Sequence, residues 1–346
     1  PPVARPTGLN FDNGLGGFSS DGREYVIYLD GEQQTPVPWV NVIANPEFGF
    51  LVSESGSGPA WALNSGENRL TPWSNDPVTD PPGEVLYLRD EETAEVWTPT
   101  PQPAGARPPH LVRHGAGYTV FEHNSHGLRQ RLRLFVPPDA PVKVWHLRLE
   151  NATQRPRRFT ATFYAEWVLG VMRDTGVQHI IPDFDEGSQA LLARNPWCPE
   201  FGERVAFAAP SRRLHGLTTD RSEFLGRLGS LQRPEALGRI GLCGAVQAGL
   251  DPCAALQLHI DLPPGESDEI WFLLGQGVDR ADAISLATRY QDAAQVEQAW
   301  QAANYFWDDL LGAVQVRTPD PAMDLLLNRW LLYQSLACRM LARVGF

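Results

Sequence analysis

Three stretches of the chain combine aromatic rings with side chains that can grip sugar hydroxyls. They are Pro38-Trp39-Val40-Asn41, Asn64–Asp76 (NSGENRLTPWSND) and Thr219–Arg227. The second carries Trp73, Asn75 and Asp76. The third sets Arg221, Glu223 and Arg227 around Phe224. Carboxylates and amides bridge vicinal hydroxyls, guanidinium groups donate as a fork, and a flat aromatic face packs on the C–H face of a sugar ring. The candidate substrate-binding residues are therefore Trp39, Asn41, Trp73, Asn75, Asp76, Arg221, Glu223 and Arg227. The plainer alternative is that these groups brace loops. No residue is assigned a catalytic role.

Other constellations argue for less. His110, His114, His123 and His126 invite a metal reading. Their surroundings are Pro-rich or β-like, and a spacing of four along an extended strand holds two ligands too far apart. No metal and no cofactor is expected. Asp183-Phe184-Asp185-Glu186-Gly187 resembles part of a calcium loop but lacks the later acidic ligand, so a solvated acidic turn is expected. Gly14-Leu15-Gly16-Gly17 and Gly56-Ser57-Gly58 do not open helices, which argues against a phosphate loop. An epimerase would need a His and a Glu in one groove, and His146 and Glu166 are available.

The elements that must position these groups are mostly strands. Asp21-Gly22 sits between Phe18–Ser20 and Glu24–Leu29, a hairpin pattern. Phe48–Ser53 and Ala60–Leu63 flank a Gly/Ser/Pro turn. Tyr118–Asn124 and Leu128–Val136 flank Ser125-His126-Gly127. In the latter run Leu128, Gln130, Leu132, Leu134 and Val136 alternate with Arg129, Arg131 and Arg133, which implies one buried face and one wet face. Val85–Leu88 and Glu95–Trp97 flank a hairpin tip, Arg89-Asp90-Glu91-Glu92. Further strands are expected at Val142–Glu150, Arg158–Val171, Ala190–Arg194, Val205–Ala208, Ala254–Leu262 and Glu269–Gln276. Together these predict a large β-sandwich over residues 1–278.

Helical signals begin at Asp279. Asp279–Ala294 and Glu297–Leu311 read as two linker helices over 279–312, with Asp279 as N-cap and Gly312 as the stop. Ala313–Arg317 reads as a short strand. Asp320 then suits an N-cap with Pro321 in the first turn. Met323, Leu326, Leu327, Trp330, Leu331, Ala337, Cys338 and Leu341 follow at helical spacing. So apolar a helix needs partners, and residues 313–346 are expected to begin a helical domain that continues beyond this chain. The alternative is that this helix packs back on the sandwich.

Composition narrows the class. The 346 residues carry 29 basic and 41 acidic side chains, a formal charge of −12, which argues against nucleic acid and against an anionic membrane surface. Lys143 is the only lysine. Most of the 11 Trp are expected in the core. The 4 cysteines form no C-x-x-C pair, which suits free thiols in a reducing compartment. Neither a signal peptide nor a long apolar run is evident. The expected location is cytoplasmic. The chain opens Pro1-Pro2, which reads as an excised segment.

The polar-aromatic stretches also carry a resemblance. DGREYVI (21–27), TPVPWVNVIANPEFGFLVSESG (35–56) and NSGENRLTPWSNDP (64–77) resemble the N-terminal region of glycoside hydrolase family 94, the cellobiose and chitobiose phosphorylases. RDEETAEVWTPTP (89–101), EWVLG (166–170), DRSEFLGR (220–227), GAVQAGLDPCAALQ (244–257), FLLGQ (272–276) and 318–343 look closest to the phosphorylase-like C-terminal domain of cyclic β-1,2-glucan synthases. The resemblance implies a mainly β, galactose-mutarotase-like super-sandwich, then linker helices and the first helix of an (α/α)6 barrel. It implies a β-glucan oligosaccharide as partner, the barrel of the same polypeptide as a second, and a homodimer as a third.

The implied chemistry is inverting phosphorolysis: a carboxylic acid protonates the glycosidic oxygen while inorganic phosphate, as co-substrate, attacks the anomeric carbon. In the family the sugar-binding arginine–aspartate segment and the acid lie downstream of the motif matching Asn328–Arg343. The other function class considered is a self-contained carbohydrate-binding sandwich without chemistry. The expected outcome for these 346 residues alone is no phosphorolysis of β-1,2-glucan. Loss of the acid alone costs ~10²–10⁴-fold. Release of glucose 1-phosphate above background, measured by a coupled assay, would contradict this.

Overall fold

The computed structural model describes residues 1–31, 33–106 and 109–342. Residues 343–346 lie outside the described residues, and with them Arg343, the last residue of the resembling stretch 318–343. Three antiparallel sheets form the body. The largest has ten strands, in the order Gly16–Phe18, Glu24–Leu29, His110–Gly115, Tyr118–Ser125, Leu128–Phe135, Val142–Asn151, Ser267–Gly277, Val205–Pro210, Ala190–Arg194, Ile181–Asp185. Five strands follow the order Gly216–Asp220, Pro252–Leu262, Arg157–Glu166, Glu84–Asp90, Val96–Trp97. Val40–Ala44, Phe48–Ser53 and Ala60–Ala62 make the third sheet. The expected hairpins are all present, and Arg129 and Arg131 stand on the wet face.

Strand alternation decides what lies inside. Leu132, Leu134, Trp145 and Leu147 of the large sheet meet Leu88, Phe159, Phe163 and Leu258 of the second and Phe48 and Phe50 of the third. The opposite face of the large sheet, with Val144, Phe207 and Leu273, is covered by two helices, Arg280–Arg289 and Ala293–Gly312. Asp279 and Asp292 cap them through Asp282 N and Ala294 N.

Lys143 lies on the inner face and is 2% exposed. Its ammonium donates to Glu84 at 2.7 Å and sits 4.0 Å from the Phe50 ring centre. Thr71 also donates to Glu84, at 2.7 Å, and its oxygen accepts from Ala60 N at 2.8 Å. This one node ties the three sheets together.

The last helix runs over 321–341, with Asp320 as N-cap accepting from Ala322 N and Pro321 in the first turn. Leu326–Trp330 and Leu336–Leu341 are wound as wider π-turns. The packing positions Trp330, Tyr333, Ala337 and Ala342 are therefore spaced three, four and five apart, and all are buried. Tyr333 Oη donates to Asn41 Oδ1 (2.9 Å) and Val42 O (2.7 Å) and accepts from Gly117 N. Trp330 Nε1 donates to Gly22 O at 2.9 Å. Gly117 has φ +81°, and a Cβ there would meet the Trp307 ring at 2.2 Å.

Four expectations need correction. The helix does not lack partners: one face packs back on the sandwich, while Met323, Leu326, Leu327 and Leu331 stay exposed. The strand expected to run to Val171 ends at Glu166, which pairs with Cys253; the next residue on the neighbouring strand, Pro252, has no N–H to give to Trp167, and Leu169 then turns with φ 45°. Ala313–Arg317 joins no sheet; the Asn328 amide brackets Val316 N and O at 2.7 and 2.8 Å in place of a neighbouring strand. The tip at Arg89-Asp90 is not exposed: both are buried, Arg89 paired with Glu91 and Asp90 with Arg157. No helix among the described residues is long and apolar enough to cross a membrane.

Four histidines are buried. Burial pushes the His110 imidazole down to about 3 and those of His114 and His146 to about 4; His123 is lowered for the same reason. Unfolded histidine takes up a proton near pH 6.5. The native state refuses protons that the unfolded chain accepts, so stability is full above pH 6.5 and falls as pH drops toward 4. His110, His114 and His146 should each cost about 2 kcal/mol at pH 5. Urea midpoints measured at pH 7 and pH 5 check this; equal midpoints would refute it.

Candidate functional site

Glu166 ends its strand 8% exposed, with its carboxylate at the sheet margin. Oε1 accepts from Arg221 Nε (2.8 Å) and Tyr164 Oη (2.9 Å), while Oε2 lies 3.4 Å from Arg173 Nε. Asp251 closes the ring, with Oδ2 3.3 Å from an Arg221 nitrogen and Oδ1 paired with Arg173. Two guanidinium groups and two carboxylates thus alternate. Below them Tyr164 stacks on Phe224 at 4.5 Å and 11°. Asp220 caps the Arg221–Leu225 helical turn by accepting from Ser222 N.

The ring sets its own electrostatics. Burial works against the Arg221 charge, but the hydrogen bond and charge of Glu166, with Asp251, hold it more firmly protonated than a free arginine. Burial, then neighbouring Cys253 and Glu166, push the Tyr164 hydroxyl far up, so it acts as a donor. The arrangement can orient an arginine fork at a surface. Neither carboxylate is free to attack or to transfer a proton while both guanidinium groups stay in place.

The sequence-derived candidates separate into groups. Asn41 is 4% exposed; its amide donates to Gly115 O (2.9 Å) and Tyr118 O (2.8 Å) and accepts from Tyr333, so it joins sandwich to helix. Trp39 is half-buried against the main core, its N–H donating to Glu54 at 2.7 Å and its ring edge-on to Tyr25. Glu223 pairs with Arg239, and exposed Arg227 has no carboxylate within ion-pair reach among the described residues.

Trp73 is 43% exposed, with the Arg69 guanidinium 5.4 Å from its ring centre. Exposed Asn75 adopts φ 50°. Asp76 closes a turn by accepting from Val78 N (2.9 Å) and Thr79 Oγ1 (2.6 Å), hydrogen bonds that lower its carboxyl. Arg69 also pairs its backbone with Gly170 and donates to Val171 O. A rim therefore runs from Trp73 through 170–173 to the Arg221 ring.

Sequence reasoning missed Arg173, Asp251 and Arg69, which spacing cannot single out. It also missed Trp197, 71% exposed and stacked on His179 at 4.7 Å. His146 and Glu166 share no partner: His146 lies with Arg133 and Glu269 on the large sheet.

With fold and site described, the kinship can be stated. Residues 23–293 match the glycosyl hydrolase 94 supersandwich domain, and 306–346 match the start of the family's catalytic domain. The chain belongs to glycoside hydrolase family 94. It is 37% identical over 340 residues to the cyclic β-(1,2)-glucan synthase of Rhizobium meliloti, covering 98% of this chain and 12% of that protein. It is 28% identical to the N,N'-diacetylchitobiose phosphorylase of Vibrio furnissii, covering 95% of this chain and 41% of that protein. The chain thus spans well under half of either relative. A solved putative kojibiose phosphorylase from the human microbiome shares the fold, with TM-score 0.50 at 8% identity, covering 85% of this chain and 39% of that one.

The ring separates two roles for Arg221. As a brace, Arg221→Ala strips the main partner from a buried carboxylate and lowers stability by about 1–3 kcal/mol. Arg227→Ala, outside the ring, leaves the melting temperature unchanged. Equal melting temperatures for the Arg221→Ala variant and the parent chain, by scanning calorimetry, would remove the brace.

Proposed function

We propose that this chain is the N-terminal carbohydrate-binding and scaffolding portion of an inverting phosphorylase or glycosyltransferase acting on β-1,2-glucans. The observation that carries the reading is the similarity along 98% of the chain to a protein described as a β-(1,2)-glucan synthase. The Trp73–Arg69 pair, open to solvent beside the Arg221 ring, supports it with a ring-stacking face and donors at one rim. We divide the chain into a sandwich over 1–278, a helical linker over 279–312 and the beginning of the catalytic domain over 313–346, consistent with helices that start at Arg280 and Pro321.

In this reading the sandwich holds glucan and the helical domain supplies the acid. Inorganic phosphate is already a nucleophile, so no second carboxylate need activate water. No described residue is assigned that acid. The role left to this chain is orientation, which offsets a large part of the entropic cost of bringing glucan and phosphate together.

Calorimetric titration of the chain with linear β-1,2-linked and β-1,4-linked glucan oligosaccharides tests the proposal. The β-1,2-linked series should bind, and Trp73→Ala should weaken binding about tenfold without lowering the melting temperature. Absence of binding, or equal binding of both linkages, would overturn it.

A further inference from the structure

A second concave surface takes Pro77, Val78 and Asp80 from the segment that follows Trp73. It is a cleft of about 670 Å³, within the range that holds small ligands. Thr35, Glu54, Ser55, Asp80, Gln102 and His110 line it. Pro38, Pro77 and Pro101 add flat C–H faces. These residues come from stretches far apart in sequence, and the ring of arginines and carboxylates uses none of them.

The chemistry of the lining is selective. It holds two carboxylates, amides and hydroxyls, and among the described lining residues no lysine or arginine. The carboxylates and amide oxygens of this lining accept hydrogen bonds from hydroxyls. Glu54 is 7% exposed and already accepts from Thr35 and from Trp39 N, which fixes its carboxylate in place. Ser53 and Ser55 each donate to Asp80 Oδ2 at 2.6 Å, leaving Oδ1 unused. The Gln102 side chain makes no hydrogen bond among the described residues, while its backbone is held by Ser55 O and Thr98. His110, 4% exposed, stacks on His123 at 4.1 Å and forms part of the cleft wall. A fixed acceptor pair and a free amide at one cleft are groups that a polyhydroxylated ligand would satisfy.

We propose that this cleft is a second carbohydrate subsite, built for a neutral oligosaccharide. It rests on the carbohydrate reading above. It adds that the sandwich grips glucan at two places, the Trp73 rim and this cleft, linked by the loop that carries Asp76 and Asp80.

The test titrates the 346-residue chain with short linear β-1,2-linked glucan oligosaccharides, followed by calorimetry. Glu54→Gln keeps the shape and removes the charge; Gln102→Ala removes a side chain on which nothing in the described fold depends. Each should weaken binding about tenfold, with far-ultraviolet dichroism unchanged for Gln102→Ala. If the parent chain binds and Trp73→Ala weakens it, yet both cleft variants bind as the parent does, the cleft is overturned and the carbohydrate reading stands. If the parent chain binds no glucan, that reading falls and takes the cleft with it. Tighter binding of a cationic amino-sugar oligomer than of the neutral one, lost in Glu54→Gln, would overturn the neutral assignment.

Discussion

The fold depends on one buried charge pair. Lys143 and Glu84 face each other where the three sheets meet, in a place otherwise filled by Phe50, Trp145 and their neighbours. Burial pulls the Lys143 ammonium down and Glu84 holds it charged. Neither can be removed alone: an orphaned charge at such a site costs about 3–5 kcal/mol. An apolar pair would satisfy the hydrophobic core equally well. What it would lack is direction, because the Glu84 carboxylate also accepts from Thr71, which in turn accepts from Ala60. That chain of donors fixes how the third sheet sits on the other two, and the third sheet carries Trp39, Asn41 and Glu54. Placement of the candidate surfaces thus follows from the pair.

Local rules made much of this readable. Alternation in Leu128–Phe135 and the turn at Asp21-Gly22 specify strands and hairpins within a few residues, and Asp279 and Asp320 announce helices by their caps. The missed features all need information from far along the chain. The strand stops at Glu166 because Pro252, which lies opposite the next residue, Trp167, lacks a donor. Val316 satisfies its backbone N–H and C=O on the Asn328 amide instead of on a neighbouring strand. Val40–Ala44 was obscured by the polar Asn41, whose partners come from Tyr118 and Tyr333.

The candidate site was legible as composition and not as geometry. Residue types around Phe224 pointed to an arginine–carboxylate cluster, and one exists, but its members are Arg173, Glu166 and Asp251 alongside Arg221. Glu223 and Arg227 sit outside it. Asn41, a plausible sugar ligand by type, has its amide consumed inside the fold. Trp73 differs because no neighbouring strand claims its ring, so it stays at the surface against Arg69. Residue type proposes a role; competition from the fold's own hydrogen bonds decides whether the side chain remains free to fill it.

The docking of the 321–341 helix has a mechanical consequence. This helix falls within the span that matches the family's catalytic domain, yet Tyr333 and Trp330 fasten it to Asn41, Val42, Gly117 and Gly22 of the sandwich. Asp308 of the preceding helix pairs with both Arg23 and Arg329, locking the same corner from a second side. A joint held at two points resists both bending and twisting. Torque applied to the helix is therefore passed into the sheets.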